Sequence, residues 1–157
     1  MPTKAELFKH TENKKGRYVR IDNAIVCRDK RSKSTYRYIN QFRHHVAKIR
    51  VDNGLVQNSS AQKCDWLLIN WDSAHSFFVE IKGSDVKTAI EQIKATLNLL
   101  WSDINKMGIN VAHIRIVVTR VPVPNLVSQK KQELKIYLKR YGSGTPDIQS
   151  QEMVDTF

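Results

Sequence analysis

The stretch Cys64-Asp65-Trp66-Leu67-Leu68-Ile69-Asn70-Trp71-Asp72-Ser73-Ala74-His75-Ser76-Phe77-Phe78-Val79-Glu80-Ile81-Lys82 decides the fold. Its two short apolar runs, Trp66 to Ile69 and Phe77 to Val79, are rich in strand formers, and Asn70 to His75 supplies turn residues between them. The pattern spells a β-hairpin. Its loop is centred between Asp72 and Ser73, so a symmetric register sets Asp65 opposite Glu80. Two carboxylates facing each other across a strand pair repel, and a sheet does not favour that pairing unless a cation lies between them. Because side chains alternate along a strand, Glu80 and Lys82 share one face while Phe77, Val79 and Ile81 fill the other. Asp65, Glu80 and Lys82 therefore converge. Carboxylate oxygens with open water positions suit Mg²⁺, with Mn²⁺ as a substitute, and an ammonium beside them can orient an attacking water or help to deprotonate it. Phosphodiester hydrolysis is the chemistry these residue types support.

Downstream of Gly83, Ser84 reads as an N-cap with Asp85 in the first turn. Val86, Ala89, Ile90, Ile93, Leu97, Leu100 and Trp101 then recur at helical spacing, which predicts a helix over 85–106. Gly108 ends it, and Ile114 to Thr119 reads as a strand lying parallel to the second hairpin strand after the helical crossover. Pro122 and Pro124 break the chain. Leu126, Leu134, Tyr137, Leu138 and Tyr141 suggest a second, basic amphipathic helix, and Ile148 to Val154 a short edge strand. Upstream, Ala24 to Cys27 reads as a strand, as does Tyr36 to Val51, where helix is the alternative. The expected class is α/β, a mixed β-sheet core flanked by helices.

A chain of 157 residues, 41% hydrophobic and 26% charged, is of a size and composition to fold as one domain over 1–157. Its net charge of +11 is one-sided. The region 1–50 carries 14 Lys and Arg against Glu6, Glu12, Asp22 and Asp29, so almost the whole excess lies there. Such a balance, with a pI near 9.8, is the footprint of a polyanionic partner, because cations placed on phosphates release counterions. Arg28, Lys30, Arg31, Lys33, Arg37 and Arg43 are the candidate contacts to nucleic acid. A solvated basic surface, or general attraction to anionic membranes, explains charge alone equally well.

Read against known patterns, Cys64-Asp65 and Glu80-Ile81-Lys82 resemble the PD and (D/E)XK steps of the PD-(D/E)XK nuclease superfamily, over about 44–119. The resemblance implies a restriction-endonuclease-like fold and a metal-dependent nuclease, DNA ahead of RNA as substrate. It also implies metal ligation by Asp65, Glu80 and the backbone carbonyl of Ile81, with Lys82 serving the nucleophilic water. Cys64 replaces the family's proline, which supplies no ligand. Gln92 matches the glutamine of a QxxxY pattern on the following helix, and Thr96 stands where that pattern has tyrosine. Members often add an acid or histidine from a first helix, and Glu12 is taken here ahead of Glu6 and His10. An inactive nucleic-acid-binding module, or a nuclease subunit of a larger complex, is the alternative, and a homodimer or a partner subunit stays open.

Other features point away from other chemistries. Cys27 and Cys64 have no CxxC spacing or nearby histidine set, which gives zinc or thiol catalysis little support. No apolar run reaches membrane-spanning length and no signal-like leader opens the chain, so a reducing, cytoplasmic, non-membrane setting is expected. His44 and His45 read as surface residues. The aromatics Tyr18, Tyr36, Tyr38 and Phe42, interleaved with arginines, are candidates for base stacking, with core packing as the commoner use.

Overall fold

In the computed structural model, residues 23–29, 33–56, 63–82, 85–120 and 123–156 are described, Lys82 by its backbone alone. Glu12, Lys30 and Arg31 lie outside these residues. The elements are β1 (Ala24–Arg28), β2 (Thr35–Ile39), β3 (Val46–Arg50), β4 (Trp66–Asn70), β5 (His75–Lys82), α1 (Val86–Lys106), β6 (Val111–Val118), α2 (Pro124–Tyr137), a 3-10 turn (Leu138–Tyr141), β7 (Pro146–Ser150) and β8 (Glu152–Thr156). Among the described residues they form a mixed α/β arrangement of two sheets and two helices.

The larger sheet has the order β3-β4-β5-β6-β7. In its first three strands each runs antiparallel to the next. β5, β6 and β7 run parallel, as the helical crossovers between them require. β4 and β5 pair with Trp66 against Val79 and Asn70 against His75, so the turn is residues 71–74 and the register expected from the sequence holds. β4 is buried along its whole length, which explains why Trp66 to Ile69 shows no polar alternation.

One face of this sheet packs on α1. Asp85 caps that helix by accepting a hydrogen bond from the Thr88 N–H at 3.0 Å, so the cap is Asp85 rather than Ser84, one residue later than the sequence suggests. Ile90, Ile93, Leu97, Leu100 and Ile104 line the buried side of α1 against Leu67, Ile69, Phe78, Ile114 and Ile116 of the sheet. Leu and Ile buried this fully contribute roughly 1.5–3 kcal/mol each. Gly108, at φ 94, closes the helix in the left-handed conformation that glycine adopts without strain. Pro124 opens α2 instead of breaking the chain, since proline at the first helical position loses no hydrogen bond.

A second sheet, β1-β2-β8, covers the other face. Ile25, Cys27, Tyr36, Tyr38 and Met153 pack there on Trp66, Leu68, Phe77, Val79 and Ile81. Three sequence expectations change here. Tyr36 to Val51 is two strands in different sheets, because Asn40 to His45 forms a connection in which the Asn40 side chain bonds both N–H and C=O of His44. Ile148 to Val154 is likewise two strands, split by Gln151 at φ 66, whose N–H donates to Val118 O at 2.7 Å as the chain passes between sheets. Among the described residues, helices flank one face of the large sheet, and a sheet covers the other.

No helix among the described residues is long and apolar enough to cross a membrane.

Candidate active site

β5 ends at Lys82 and β6 at Val118, side by side, so the site lies at the carboxyl ends of the parallel strands, where ligands of open α/β sheets bind. The β4–β5 ladder runs as far as Trp66 and Val79, and the chain bends at Asp65. Beyond that last pair, side chains take over from backbone. The Ile81 N–H donates to Asp65 Oδ2 at 2.9 Å, and the Asp65 N–H donates to Glu80 Oε2 at 3.1 Å. Thus Asp65 and Glu80 stand together across the strand pair as the register implies. Glu80 shares the helix-covered face with Phe78 and is 2% exposed, whereas Asp65 is half-buried.

Five contacts fix the lead-in to β4. Asp65 O accepts from the Val51 N–H at 3.0 Å, and Asp65 and Glu80 are tied as above. From α1, Gln92 Nε2 donates to Lys63 O at 3.2 Å and Thr96 Oγ1 accepts from the Cys64 N–H at 2.8 Å. Gln92 and Thr96 are one turn apart and so reach the same segment. Burial raises the Cys64 thiol well above its ordinary range, with the charges of Glu80 and then Asp65 adding to the effect. The thiol stays protonated near neutral pH and is no nucleophile there.

Of the residues expected to form the site, Asp65, Glu80 and Gln92 are brought to one segment. The Ile81 carbonyl belongs to the same edge, since N–H and C=O of one strand residue point the same way and its N–H points to Asp65. Lys82 occupies the last position of β5, two residues beyond Glu80.

The basic candidates are less uniformly placed. Arg28 ends β1 beside the site, its carbonyl accepting from Trp66 Nε1 at 3.3 Å, and exposed Lys33 lies in the connection that follows. Arg37 on β2 pairs with Glu152 at 3.6 Å. Arg43 precedes β3 at the opposite end of the sheet, near Asn70, about 17 Å along β4 from Asp65 at roughly 3.4 Å a residue. Two cations that the sequence did not single out pack on Trp66, on the face of the sheet opposite Glu80. Lys48 Nζ lies 4.4 Å and the Arg50 guanidinium 5.9 Å from the Trp66 ring centroid. Tyr36 and Tyr38 are fully buried and cannot stack bases, whereas Phe42 is exposed. Neither Cys27 nor Cys64 is in a disulfide, and both are fully buried.

The donor set fits a hard divalent cation. It consists of oxygens, the paired carboxylates and the Ile81 carbonyl, and Gln92, which reaches the same segment through Lys63 O, keeps a buried Oε1 without a hydrogen-bond partner. Among the described residues no group of three or more His, Cys, Asp or Glu side chains is gathered for a metal, so these contribute two carboxylates. Mg²⁺ is commonly bound through one or two carboxylates while keeping several waters.

No protein-family description, no curated protein and no solved structure matches this chain.

Proposed function

We propose that the protein is a metal-dependent nuclease of restriction-endonuclease-like architecture that hydrolyses phosphodiester bonds, with DNA as the first substrate to test. The observation that carries this reading is the pairing of Asp65 with buried Glu80 at the carboxyl end of β5, two residues before Lys82. Like charges brought together at a buried edge are costly, and a structural role does not call for them. The hairpin, the helical crossover and the parallel strand after it support this reading.

Asp65, Glu80 and the Ile81 carbonyl would hold Mg²⁺ or Mn²⁺. When bound, such a cation lowers the pKa of its water and offsets charge developing on the phosphate. Asp65 and Glu80 would position that cation at the strand ends, and the Ile81 and Asp65 N–H groups keep their respective carboxylates oriented before substrate arrives. Lys82 is assigned the orientation of the attacking water. Arg28, Lys33 and Arg50 supply phosphate contacts on the rim, and the net charge of +11 supports a polyanionic substrate.

The test is a cleavage panel of linear, nicked, branched and single-stranded DNA together with RNA, in Mg²⁺, in Mn²⁺ and in EDTA. Cleavage of one class that requires metal and is lost in Asp65→Asn and Glu80→Gln bears the reading out. Full activity in EDTA, or binding without cleavage of any class, contradicts it.

A further inference from the structure

We infer that Thr96 is a positioning residue for the cation site, holding Asp65 in place through the backbone of Cys64. This rests on the metal-site reading and extends it to a residue that touches neither metal nor substrate. Thr96 is completely buried on α1. Its hydroxyl donates its one hydrogen to Gln92 O at 2.9 Å and accepts from the Cys64 N–H at 2.8 Å. The first bond is the back-bond to the preceding turn that threonine often makes in helices, and it points the oxygen's lone pairs outward. The second spans 32 residues of sequence and takes up a backbone donor lying past the end of the β4–β5 ladder.

Its consequence follows from where the ladder stops. At the step beyond Trp66 and Val79, the Ile81 N–H is engaged by the Asp65 carboxylate, and the Cys64 N–H is engaged by Thr96. Thr96 thus sets the bend that turns the Asp65 side chain onto Ile81 and brings its N–H to Glu80. Gln92, one turn earlier, holds the carbonyl of Lys63. The helix that follows the Glu80 strand thereby reaches back and fixes the other acid. Thr96 stands where the tyrosine of the QxxxY pattern would be. A tyrosine could not place a hydroxyl so close to the helix axis, whereas a β-hydroxyl can.

The experiment compares wild type, Thr96→Val, Thr96→Ser and Asp65→Asn as full-length chains. Mn²⁺ affinity is read by titration calorimetry, and the Mn²⁺ concentration for half-maximal cleavage is read alongside. Thr96→Val keeps the volume and loses the oxygen, so Mn²⁺ affinity should fall by about tenfold or more, the usual range for partners that orient a ligand. Cleavage should recover at saturating Mn²⁺. Thr96→Ser should restore the wild-type midpoint. If Thr96→Val does not fold, Thr96→Ser against Thr96→Ala carries the same comparison, with serine holding the midpoint and alanine raising it. Wild-type Mn²⁺ affinity in folded Thr96→Val, with Asp65→Asn impaired, overturns the inference and leaves the nuclease reading standing. A midpoint that follows the methyl rather than the hydroxyl also overturns it. Unchanged Mn²⁺ binding in Asp65→Asn overturns both.

Discussion

The two faces of the five-stranded sheet both bury ionisable groups, with opposite logic. On the face covered by the second sheet, opposite charges meet. Arg115 Nε lies 2.5 Å from Asp155 Oδ2, and the guanidinium also donates to the backbone carbonyls of Ile114 and Thr145. Tyr36 donates to the same Asp155 oxygen at 2.7 Å, and burial followed by the Asp155 charge raises its phenol well above the usual range. Burial of that kind joins β2, β6 and β8 and needs no ligand to explain it. On the helix-covered face two like charges stand together, the Glu80 carboxylate accepting from the Asp65 N–H and the Asp65 carboxylate from the Ile81 N–H. Burial of a charge is therefore not by itself a sign of chemistry. Buried Lys63, two residues before Asp65, also meets an opposite charge, Asp52 at 3.5 Å. What sets Asp65 and Glu80 apart is that two like charges stand together.

Breaking the first cluster should have the largest effect on stability. Arg115→Met leaves Asp155 in the interface without its cation and should cost about 3–5 kcal/mol in denaturant unfolding. The metal requirement of any remaining folded protein should be unchanged. A shift in Mn²⁺ affinity would mean that the two faces are coupled and that the contrast between them fails.

The second cluster should respond in the reverse sense. Glu80→Gln keeps shape and hydrogen-bonding oxygen but removes charge, so single-turnover cleavage in Mg²⁺ should fall at least a hundredfold, about 2.7 kcal/mol in activation free energy. Nucleic-acid binding should persist. Cleavage within a few-fold of wild type would reduce Glu80 to a structural acid.

The histidines of the first face sharpen the comparison through pH. His113 Nδ1 accepts from the Thr145 N–H at 2.9 Å, which fixes the other ring nitrogen as the donor to His75 Nδ1 at 2.8 Å. Burial, then the Arg115 charge and then His75, lower the His113 pKa to about 3, and burial lowers His75 as well. The folded state thus keeps His113 neutral where the unfolded chain protonates it below about 6.5. Its contribution to stability is complete above that pH and is lost as pH falls toward 3. Between pH 6.5 and 5 the loss should reach about 1.6 kcal/mol, because the full slope of about 1.36 kcal/mol per pH unit sets in only below the unfolded pKa. His113→Gln should flatten that part of the stability curve, as unfolding midpoints at several pH values would report. An unaltered slope would place the titration elsewhere.

How much of this could be read beforehand depended on whether a feature was local. The hairpin register follows from the spacing of two apolar runs about a short turn, so Asp65 and Glu80 could be paired from sequence alone. α1 announces itself through Val86, Ile90, Ile93, Leu97 and Leu100, and its cap differs by one residue because Ser84 and Asp85 are both good caps. The second sheet was not legible. Its strands β1, β2 and β8 come from both ends of the chain, and five-residue strands such as Thr35–Ile39 carry little periodicity. The Gln151 switch and the Thr96 tie depend on contacts across long sequence separations, for which local patterns hold no signal. Charge alone does not distinguish Arg43 from Arg28, and only the strand directions separate them.

Asp65 offers the most direct measurement, because asparagine retains an oxygen to accept from the Ile81 N–H while removing the charge that repels Glu80. In EDTA, Asp65→Asn should melt at the wild-type temperature or above it, against the usual tendency of substitutions to destabilise. With Mn²⁺ at about a hundred times its dissociation constant, wild type should gain about 2.7 kcal/mol, a rise of roughly 5 °C or more, and the variant should barely move. Destabilisation of Asp65→Asn in EDTA together with equal Mn²⁺ shifts in both proteins would contradict the cation site at the centre of this account.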